Sequence, residues 1–327
     1  MKYSLLDLAP VTEEGTAATA LHNAADIAKH AEKWGYSRFW MAEHHNMEGI
    51  ASAATAVALG YVASKTEHIR VGSAGIMLPN HAPFVVAEQF GTLDALYPGR
   101  VDLGLGRAPG TDGATLRALR RTPNDAENFP RDVQELLGYL AEAQPADVIK
   151  AVPGYGQKIP VWLLGSSTFG AQLAAHLGLP YAFASHFAPD YLHHALKAYR
   201  DNFKPSQYLD KPYVAAAMNV FAADSETEAR YMMSSMQQQF IALRRGMPGK
   251  LKAPVEDISR VGSPQEIAGA NHALTYTAVG TKDTVSRHIN QFIDDTGIDE
   301  LILTCHGYDH DARLRSFEIA SEVLNER

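Results

Sequence analysis

Two adjacent histidines end a short apolar segment early in the chain, in the run Glu43-His44-His45. An imidazole can exchange a proton near neutral pH or bind a metal ion, so either ring could take part in catalysis. Because side chains alternate along a strand, the two rings should face opposite sides, and only one can easily enter an enclosed interior. This spacing does not favour a shared metal ion and lacks the helical His-Glu-x-x-His pattern of zinc proteases. A hydrogen-bonded structural histidine is the competing interpretation.

Two glycine-rich runs could also hold a ligand. Residues 72–75, Gly-Ser-Ala-Gly, would let a planar molecule lie against the backbone, or they could serve close helix packing. Residues 104–110 resemble a dinucleotide loop only superficially, because Ala108 replaces the third glycine and Pro109 follows it. Arg107, within this second run, could pair with a phosphate through two donors or form a surface ion pair.

Ser166 and Ser167 stand just before a predicted helix. Free backbone N–H groups at a helix N-terminus, together with two hydroxyls, can bind a phosphate. The alternative is that a serine simply caps the helix. The usual phosphate site of α/β barrels follows strands seven and eight, so a site here would be atypical. The residues alone leave both interpretations open.

Eight short apolar or β-branched runs could form the strands that position these residues. They cover residues 3–9, 38–44, 69–78, 101–106, 160–165, 181–185, 213–221 and 300–306. Helical patterns occur at residues 19–35, 50–64, 83–96, 131–143, 169–177, 189–202 and 225–243. This alternation predicts a single (β/α)8 TIM barrel over residues 1–327. Barrel enzymes place their chemistry at the C-terminal strand ends, where each candidate residue lies.

Residues 246–280 contain several prolines and glycines without a sustained helical period. They are typical of an insertion near the last strand, and long irregular connections often act as lids over active sites. We therefore expect a mobile lid over the barrel mouth. A fixed surface excursion or an interface arm is the alternative.

Composition excludes several classes of function. The chain has 29 Lys and Arg against 37 Asp and Glu, a formal charge of −8, so nucleic-acid binding is not expected. Its single cysteine, Cys305, rules out an internal disulfide and fits a reducing compartment. The N-terminal segment lacks a secretory pattern, and residues 50–64 are shorter than the roughly 18–20 apolar residues that span a bilayer. We predict a cytoplasmic protein that does not associate with membranes.

In their order along the chain, these motifs resemble the bacterial luciferase-like, flavin-dependent monooxygenase family. The shared segments are residues 40–45 (WMAEHH), 71–75 (VGSAG), 78–79 (LP), 99–104 (GRVDLG), 106–107 (GR), 166–167 (SS), 178–180 (GLP) and 280–281 (GT). The resemblance implies a barrel that uses reduced FMN and molecular oxygen to oxidise a small organic substrate. It also implies a separate flavin reductase as the source of electrons, and a homodimer.

The resemblance assigns roles to individual residues. His44 matches the active-site histidine of the family. Ala74 and Gly75 match a non-prolyl cis peptide beside the flavin ring. Arg107, Ser166 and Ser167 match positions around the flavin phosphate.

The resemblance also has limits. Luciferases carry a reactive thiol beside the flavin where this chain has Gly106, so we do not expect light emission. Members of the same superfamily use a deazaflavin for hydride transfer, and other relatives bind flavin without catalysis. A deazaflavin-dependent oxidoreductase and a non-catalytic flavin-binding protein are therefore the alternatives. The sequence leaves the organic substrate open.

Overall fold

The computed structural model describes residues 1–145 and 148–327, which fold around a closed parallel sheet. The strands are β1 Lys2–Asp7, β2 Arg38–Met41, β3 Arg70–Met77, β4 Val101–Gly106, β5 Val161–Gly165, β6 Tyr181–Phe183, β7 Val214–Ala222, β8 Thr277–Gly280 and β9 Glu300–Thr304. Strands β1 to β7 and β9 form the ring, in which β9 pairs with both β1 and β7. The predicted (β/α)8 barrel is confirmed, with each of the eight predicted strands in place. The short strand β8 lies outside the ring, where it pairs with the end of β7.

Helices fill the connections between the strands. They are α1 Ala17–Lys33, α2 Thr55–Ala63, α3 Pro83–Leu96, α4 Gly113–Ala118, α5 Phe129–Leu140, α6 Thr168–Leu177, α7 Leu192–Asn202, α8 Glu226–Arg244, α9 Pro264–Ala273, α10 Lys282–Thr296 and α11 His310–Asn325. The seven predicted helices are all present, α3 with the predicted ends and the other six with shifted ends. Helices α4, α9, α10 and α11 were not predicted. Among the helices of the described chain, none combines the length and apolar character needed to cross a bilayer.

The segment 246–280 is more regular than its composition predicts, because it contains α9 and β8. Helix α9 begins with a capping box in which Ser263 and Glu266 each accept a bond from the other's backbone N–H. The first part of the segment is attached to the loop after β1, since Leu251 N–H donates to the Val11 carbonyl at 2.8 Å. Its mobility as a lid stays a prediction.

The barrel interior contains an apolar cluster that is separate from the main core between strands and helices. It consists of Leu6, Leu8, Trp40, Ala42, Trp162, Ala182, Ala215, Ala217 and Ile302. The rings of Trp40 and Trp162 pack edge to face, with centroids 5.0 Å apart. Inward-facing side chains therefore recur at every second residue of a strand, as Ala215 and Ala217 show on β7.

Buried ion pairs close the N-terminal end of the barrel, which we call the floor. Arg38 donates to Glu300 at 2.9 Å and to Asp102 at 2.6 Å. Arg70 donates to the other Asp102 oxygen at 2.6 Å, and the Tyr213 hydroxyl donates to Glu300 at 2.8 Å. Both carboxylates are fully buried, so these partners replace the water that each charge has lost. The floor supports the barrel below the opposite, open end.

Candidate functional site

We call the C-terminal end of the barrel the mouth. A cavity of about 390 Å³ lies there, at the ends of the strands. Its volume falls within the range of small-molecule and cofactor sites. Most of its lining is apolar, and Phe240 of α8 together with Leu251 of the 246–280 segment contributes to its wall. All six site residues predicted from the sequence line this one cavity: His44, Ala74, Gly75, Arg107, Ser166 and Ser167.

One side of the cavity has a polar corner formed by Arg107, Ser166 and Ser167, which we call the phosphate corner. The guanidinium carbon of Arg107 lies 4.1 Å from the centroid of the Phe169 ring, which fixes the cation over an aromatic face. Arg107 forms no ion pair with any residue in the described parts of the chain. The corner therefore presents a positive charge that has no counter-ion among residues 1–145 and 148–327.

The start of α6 supplies further donors to the phosphate corner. Ser167 occupies the N-cap position, but its side chain forms no capping hydrogen bond. The capping alternative considered from the sequence is therefore not realised in this structure. Ser167, Phe169 and Gly170 line the cavity, so the first turn of α6, whose backbone N–H groups lack intrahelical partners, adjoins it.

A flat stretch of β3 forms the adjacent wall. The peptide bond between Ala74 and Gly75 is cis, as the family resemblance implies. A Cβ atom on Gly75 would lie 2.7 Å from the Gly104 carbonyl oxygen of β4, which is too close for any side chain. Gly72 has the same restriction against Asp102, so these glycines allow β3 and β4 to approach. The close packing is thus of strand on strand, while Ala74 and Gly75 still line the cavity.

His44 continues the inward-facing row of β2. Trp40 and Ala42 point into the barrel, and two residues later His44 lines the cavity. Its Nδ1 atom is buried and has no hydrogen-bond partner in the described chain, which leaves Nε2 on the cavity side. Burial lowers the pKa of His44, so its imidazole is uncharged at neutral pH. His45 does not line the cavity, as strand alternation requires.

His45 instead belongs to a hydrogen-bonded cluster with Glu43 and His81. The Nε2 atoms of His45 and His81 lie 2.6 and 2.8 Å from the same Glu43 oxygen, and the other oxygen accepts from the Met77 N–H at 3.2 Å. Although burial opposes its ionisation, the hydrogen bonds from His45 and His81 lower the pKa of Glu43 to about 2. The three side chains have the ligand types and proximity to hold a metal ion, but hydrogen bonding alone accounts for their arrangement. Glu43 thereby ties the end of β2, and so His44, to the end of β3.

The sequence analysis missed two further histidines of the cavity wall, His186 and His306. His186 continues the inward row of β6 after Ala182, and His306 continues that of β9 after Ile302. Each lies four residues beyond an inward-facing residue, the same spacing that separates His44 from Trp40. This parity was readable in the sequence and could have identified both.

Both additional histidines are uncharged at neutral pH. Burial, reinforced by the neighbouring histidines, lowers the pKa of His186 to about 3. Burial, with Arg313 as the next cause, lowers the pKa of His306 to about 4. His44, His186 and His306 all line the same cavity. We call this group the imidazole wall.

Comparison with known proteins places this architecture in a family. The model of the luciferase-like monooxygenases matches residues 1–300. One relative is a protein of Escherichia coli strain K12 called luciferase-like monooxygenase. It is 53% identical over 325 residues, which cover 99% of this chain and 97% of the relative.

Solved structures agree with this result. The structure of apo-MsnO8 has a TM-score of 0.87 and 30% identity, covering 99% of this chain and 98% of that chain. The oxygenating constituent of 3,6-diketocamphane monooxygenase from Pseudomonas putida, solved in complex with FMN, has the same fold with a TM-score of 0.74 at 17% identity, covering 100% of this chain and 99% of that chain. The chain described here belongs to the luciferase-like monooxygenase family.

Proposed function

We propose that this protein is a flavin-dependent monooxygenase that binds reduced FMN in the mouth of the barrel and oxidises a small organic substrate with molecular oxygen. The observation that carries the proposal is the phosphate corner, where Arg107 and Ser167 line a mostly apolar cavity, Arg107 without an ion pair and Ser167 without a capping bond among the described residues. Reduced flavin, when bound, supplies the electrons for oxygen activation.

The residues present fit the two parts of FMN. An anionic phosphate matches the uncompensated charge of Arg107 and the N-terminus of α6 with Ser166 and Ser167. The planar ring system matches the wall at Ala74 and Gly75, where only small residues of β3 line the cavity. Polar and apolar halves of the cavity thus correspond to polar and apolar halves of the ligand.

His44 is the residue that we assign to proton transfer. Its uncharged ring can accept a proton at Nε2, the nitrogen on the cavity side, and return it. The cluster of Glu43, His45 and His81 restrains the backbone on either side of the His44 side chain. Phe240 and Leu251 above it limit the access of water to the reacting groups.

The electron source that we propose is a separate flavin reductase. Residues 104–110 depart from the dinucleotide-binding pattern, since Ala108 and Pro109 break its spacing. The isolated protein should therefore oxidise NADH slowly with FMN present, and addition of a flavin reductase should start substrate-dependent oxygen consumption. Rapid turnover by the protein with NADH alone would contradict this two-component scheme.

A homodimer in the cytoplasm is the assembly that we propose. The exposed apolar side chains Val57 of α2 and Val85 and Leu96 of α3 lie on neighbouring helices and support a face that a second copy could cover. Sedimentation of the purified protein should give twice the mass of the 35.6 kDa chain. Introduction of a charge by Val57→Glu should shift the species towards monomer.

The cofactor proposal is tested by titration of the protein with FMN and with riboflavin, which lacks the phosphate. Arg107→Ala should weaken FMN binding by about 1.5–3 kcal/mol, or roughly tenfold to a hundredfold, because a charge-assisted bond is lost. Riboflavin binding should change much less. Arg117→Ala, which removes an exposed arginine of α4 outside the cavity, is the matched control and should affect neither ligand. Equal losses for both ligands in Arg107→Ala would assign this arginine a structural role, and preference for a deazaflavin would favour the hydride-transfer alternative.

A further inference from the structure

Within the described parts of the chain, four acidic side chains are buried: Asp7, Glu43, Asp102 and Glu300. Three of them pair with an arginine, which is Arg313 for Asp7 and Arg38 for the two floor carboxylates. Glu43 differs, because its ion-pair partners among the described residues are two histidines and no lysine or arginine. A buried carboxylate is costly without a nearby positive charge, and Glu43 has no permanent one.

The two histidines reach Glu43 from different loops. His45 follows β2 and His81 follows β3, and their Nε2 atoms lie 2.6 and 2.8 Å from the same Glu43 oxygen. One ligand atom from each of the three side chains lies within 4.8 Å of the other two. The side chains of His45 and His81 are 17% and 27% exposed, and neither lines the cavity at the mouth. Solvent therefore reaches this cluster outside the cavity.

The ligand types of this cluster suit a zinc ion. Two imidazoles and one carboxylate bind zinc in known sites, where water completes the coordination. Although burial opposes its ionisation, the hydrogen bonds from His45 and His81 lower the pKa of Glu43 to about 2, so its carboxylate is already ionised at neutral pH. Zinc bonds of about 2.0–2.2 Å in a tetrahedron separate the ligand atoms by about 3.3 Å. Each partly exposed ring would therefore move outward by roughly 0.5–0.8 Å, which a small side-chain rotation supplies.

We propose that Glu43, His45 and His81 form a zinc site that ties the loop after β2 to the loop after β3 beside the mouth. The ion supplies the positive charge that Glu43 lacks, and its coordination replaces the two hydrogen bonds that hold the cluster when no ion is bound. Its role is to stabilise the fold, because the two histidines lie outside the cavity in which we place the flavin. Zinc therefore binds with or without FMN, and the neighbouring His44, which lines the cavity, takes no part.

The test begins with protein that has been freed of metal by a chelator. Titration with zinc sulfate against a chromophoric zinc indicator at pH 7.5 should show one equivalent bound with a dissociation constant of about 1 μM or tighter. Zinc at about a hundred times its dissociation constant should raise the folding equilibrium constant about a hundredfold, because the unfolded chain does not hold the three ligands together. Urea denaturation with and without zinc measures this change.

Variants separate zinc binding from hydrogen bonding. His45→Gln and His81→Gln each keep an N–H donor for Glu43 but remove a zinc ligand. Each should bind zinc at least about a hundredfold more weakly than the unchanged protein. His81→Ala, which leaves the bond between His45 and Glu43 in place, gives the same test if a glutamine variant does not fold.

A histidine elsewhere on the surface provides the matched control. His272 also pairs with a carboxylate, that of Asp190 at 2.7 Å, so His272→Gln should leave zinc binding unchanged. The inference is overturned if the unchanged protein binds no zinc at micromolar concentrations, or if zinc does not raise its urea midpoint. It is also overturned if the variants at His45 and His81 bind zinc as tightly as the unchanged protein, or if His272→Gln loses as much affinity as they do.

Discussion

The floor and the mouth of this barrel both contain buried polar side chains that face inward. The two ends differ in whether these side chains have hydrogen-bond partners within the protein. At the floor, Arg38 pairs with both Asp102 and Glu300, and each carboxylate has a further donor. At the mouth, His186 and His306 have no hydrogen-bond partner within the described residues. A buried polar group with internal partners contributes to a rigid fold, whereas one without them is available to a ligand. The comparison predicts that the floor governs stability and the mouth governs chemistry.

The largest expected effect is at the floor. Arg38→Met should lower the free energy of unfolding by about 3–5 kcal/mol, because it leaves Asp102 and Glu300 as buried charges with fewer partners. Urea denaturation followed by circular dichroism measures this change. His44→Phe at the mouth is the comparison variant and should lose less than about 1 kcal/mol. Equal losses of unfolding free energy in Arg38→Met and His44→Phe would contradict the idea that the floor governs stability and the mouth does not.

The next effect is on chemistry at the mouth. His44→Ala should retain FMN affinity within about tenfold but lose at least about a hundredfold in coupled oxygenation, because a positioned acid–base group is removed. Stopped-flow mixing of reduced FMN, oxygen and the variant gives the rate. His45→Ala is the control and should alter stability more than turnover, since His45 binds Glu43 outside the cavity. Full activity in His44→Ala, or a loss confined to His45→Ala, would show that the wrong histidine has been assigned.

The buried histidines of the mouth should make the folded protein less stable as the pH falls. The pKa values of His186 and His306 are lowered to about 3 and about 4, so below pH 6.5 the unfolded chain binds more protons than the folded protein. Stability therefore falls as the pH falls, by up to about 1.4 kcal/mol per pH unit for each histidine. Arg313 strengthens this trend at His306, and Asp7 opposes it.

This pH dependence is measured by urea midpoints at pH 7.5 and pH 5.5. His186→Phe/His306→Phe should have a smaller difference between the two midpoints than the unchanged protein. An unchanged difference in the variant would mean that the two rings are already partnered or charged in solution.

The smallest effect concerns the hydroxyls of the phosphate corner. Ser166→Ala/Ser167→Ala should preserve the fold and lower the ratio of FMN to riboflavin affinity by roughly threefold to tenfold, because the backbone donors of α6 remain. Paired titrations with the two flavins give this ratio. Ser225→Ala is the contrasting variant, since the Ser225 side chain caps α8 and its loss should affect stability instead. An unchanged flavin ratio would return Ser166 and Ser167 to a purely structural role.

The sequence by itself determined the ring of eight strands and placed the candidate residues at their ends. The periods of apolar residues are local properties, and they identified β3 and α3 almost to the residue. The strand β8 and the helix α9 were missed because both lie in the segment 246–280, whose prolines and glycines are typical of an irregular loop. The capping signature of Ser263 and Glu266 could have identified α9.

Only the tertiary structure decided which polar groups are satisfied. The sequence shows that Ser167 and His306 are present. It does not show that the Ser167 side chain forms no capping bond, or that Nε2 of His306 has no hydrogen-bond partner among the described residues. Hydrogen bonding depends on atoms brought together from distant parts of the chain, as with Glu43 and His81. Strand alternation could indicate that His44 faces inward, but closure of the ring placed it in the same cavity as His186 and His306. Local periodicity sets the direction of a side chain, whereas three-dimensional packing sets its partners.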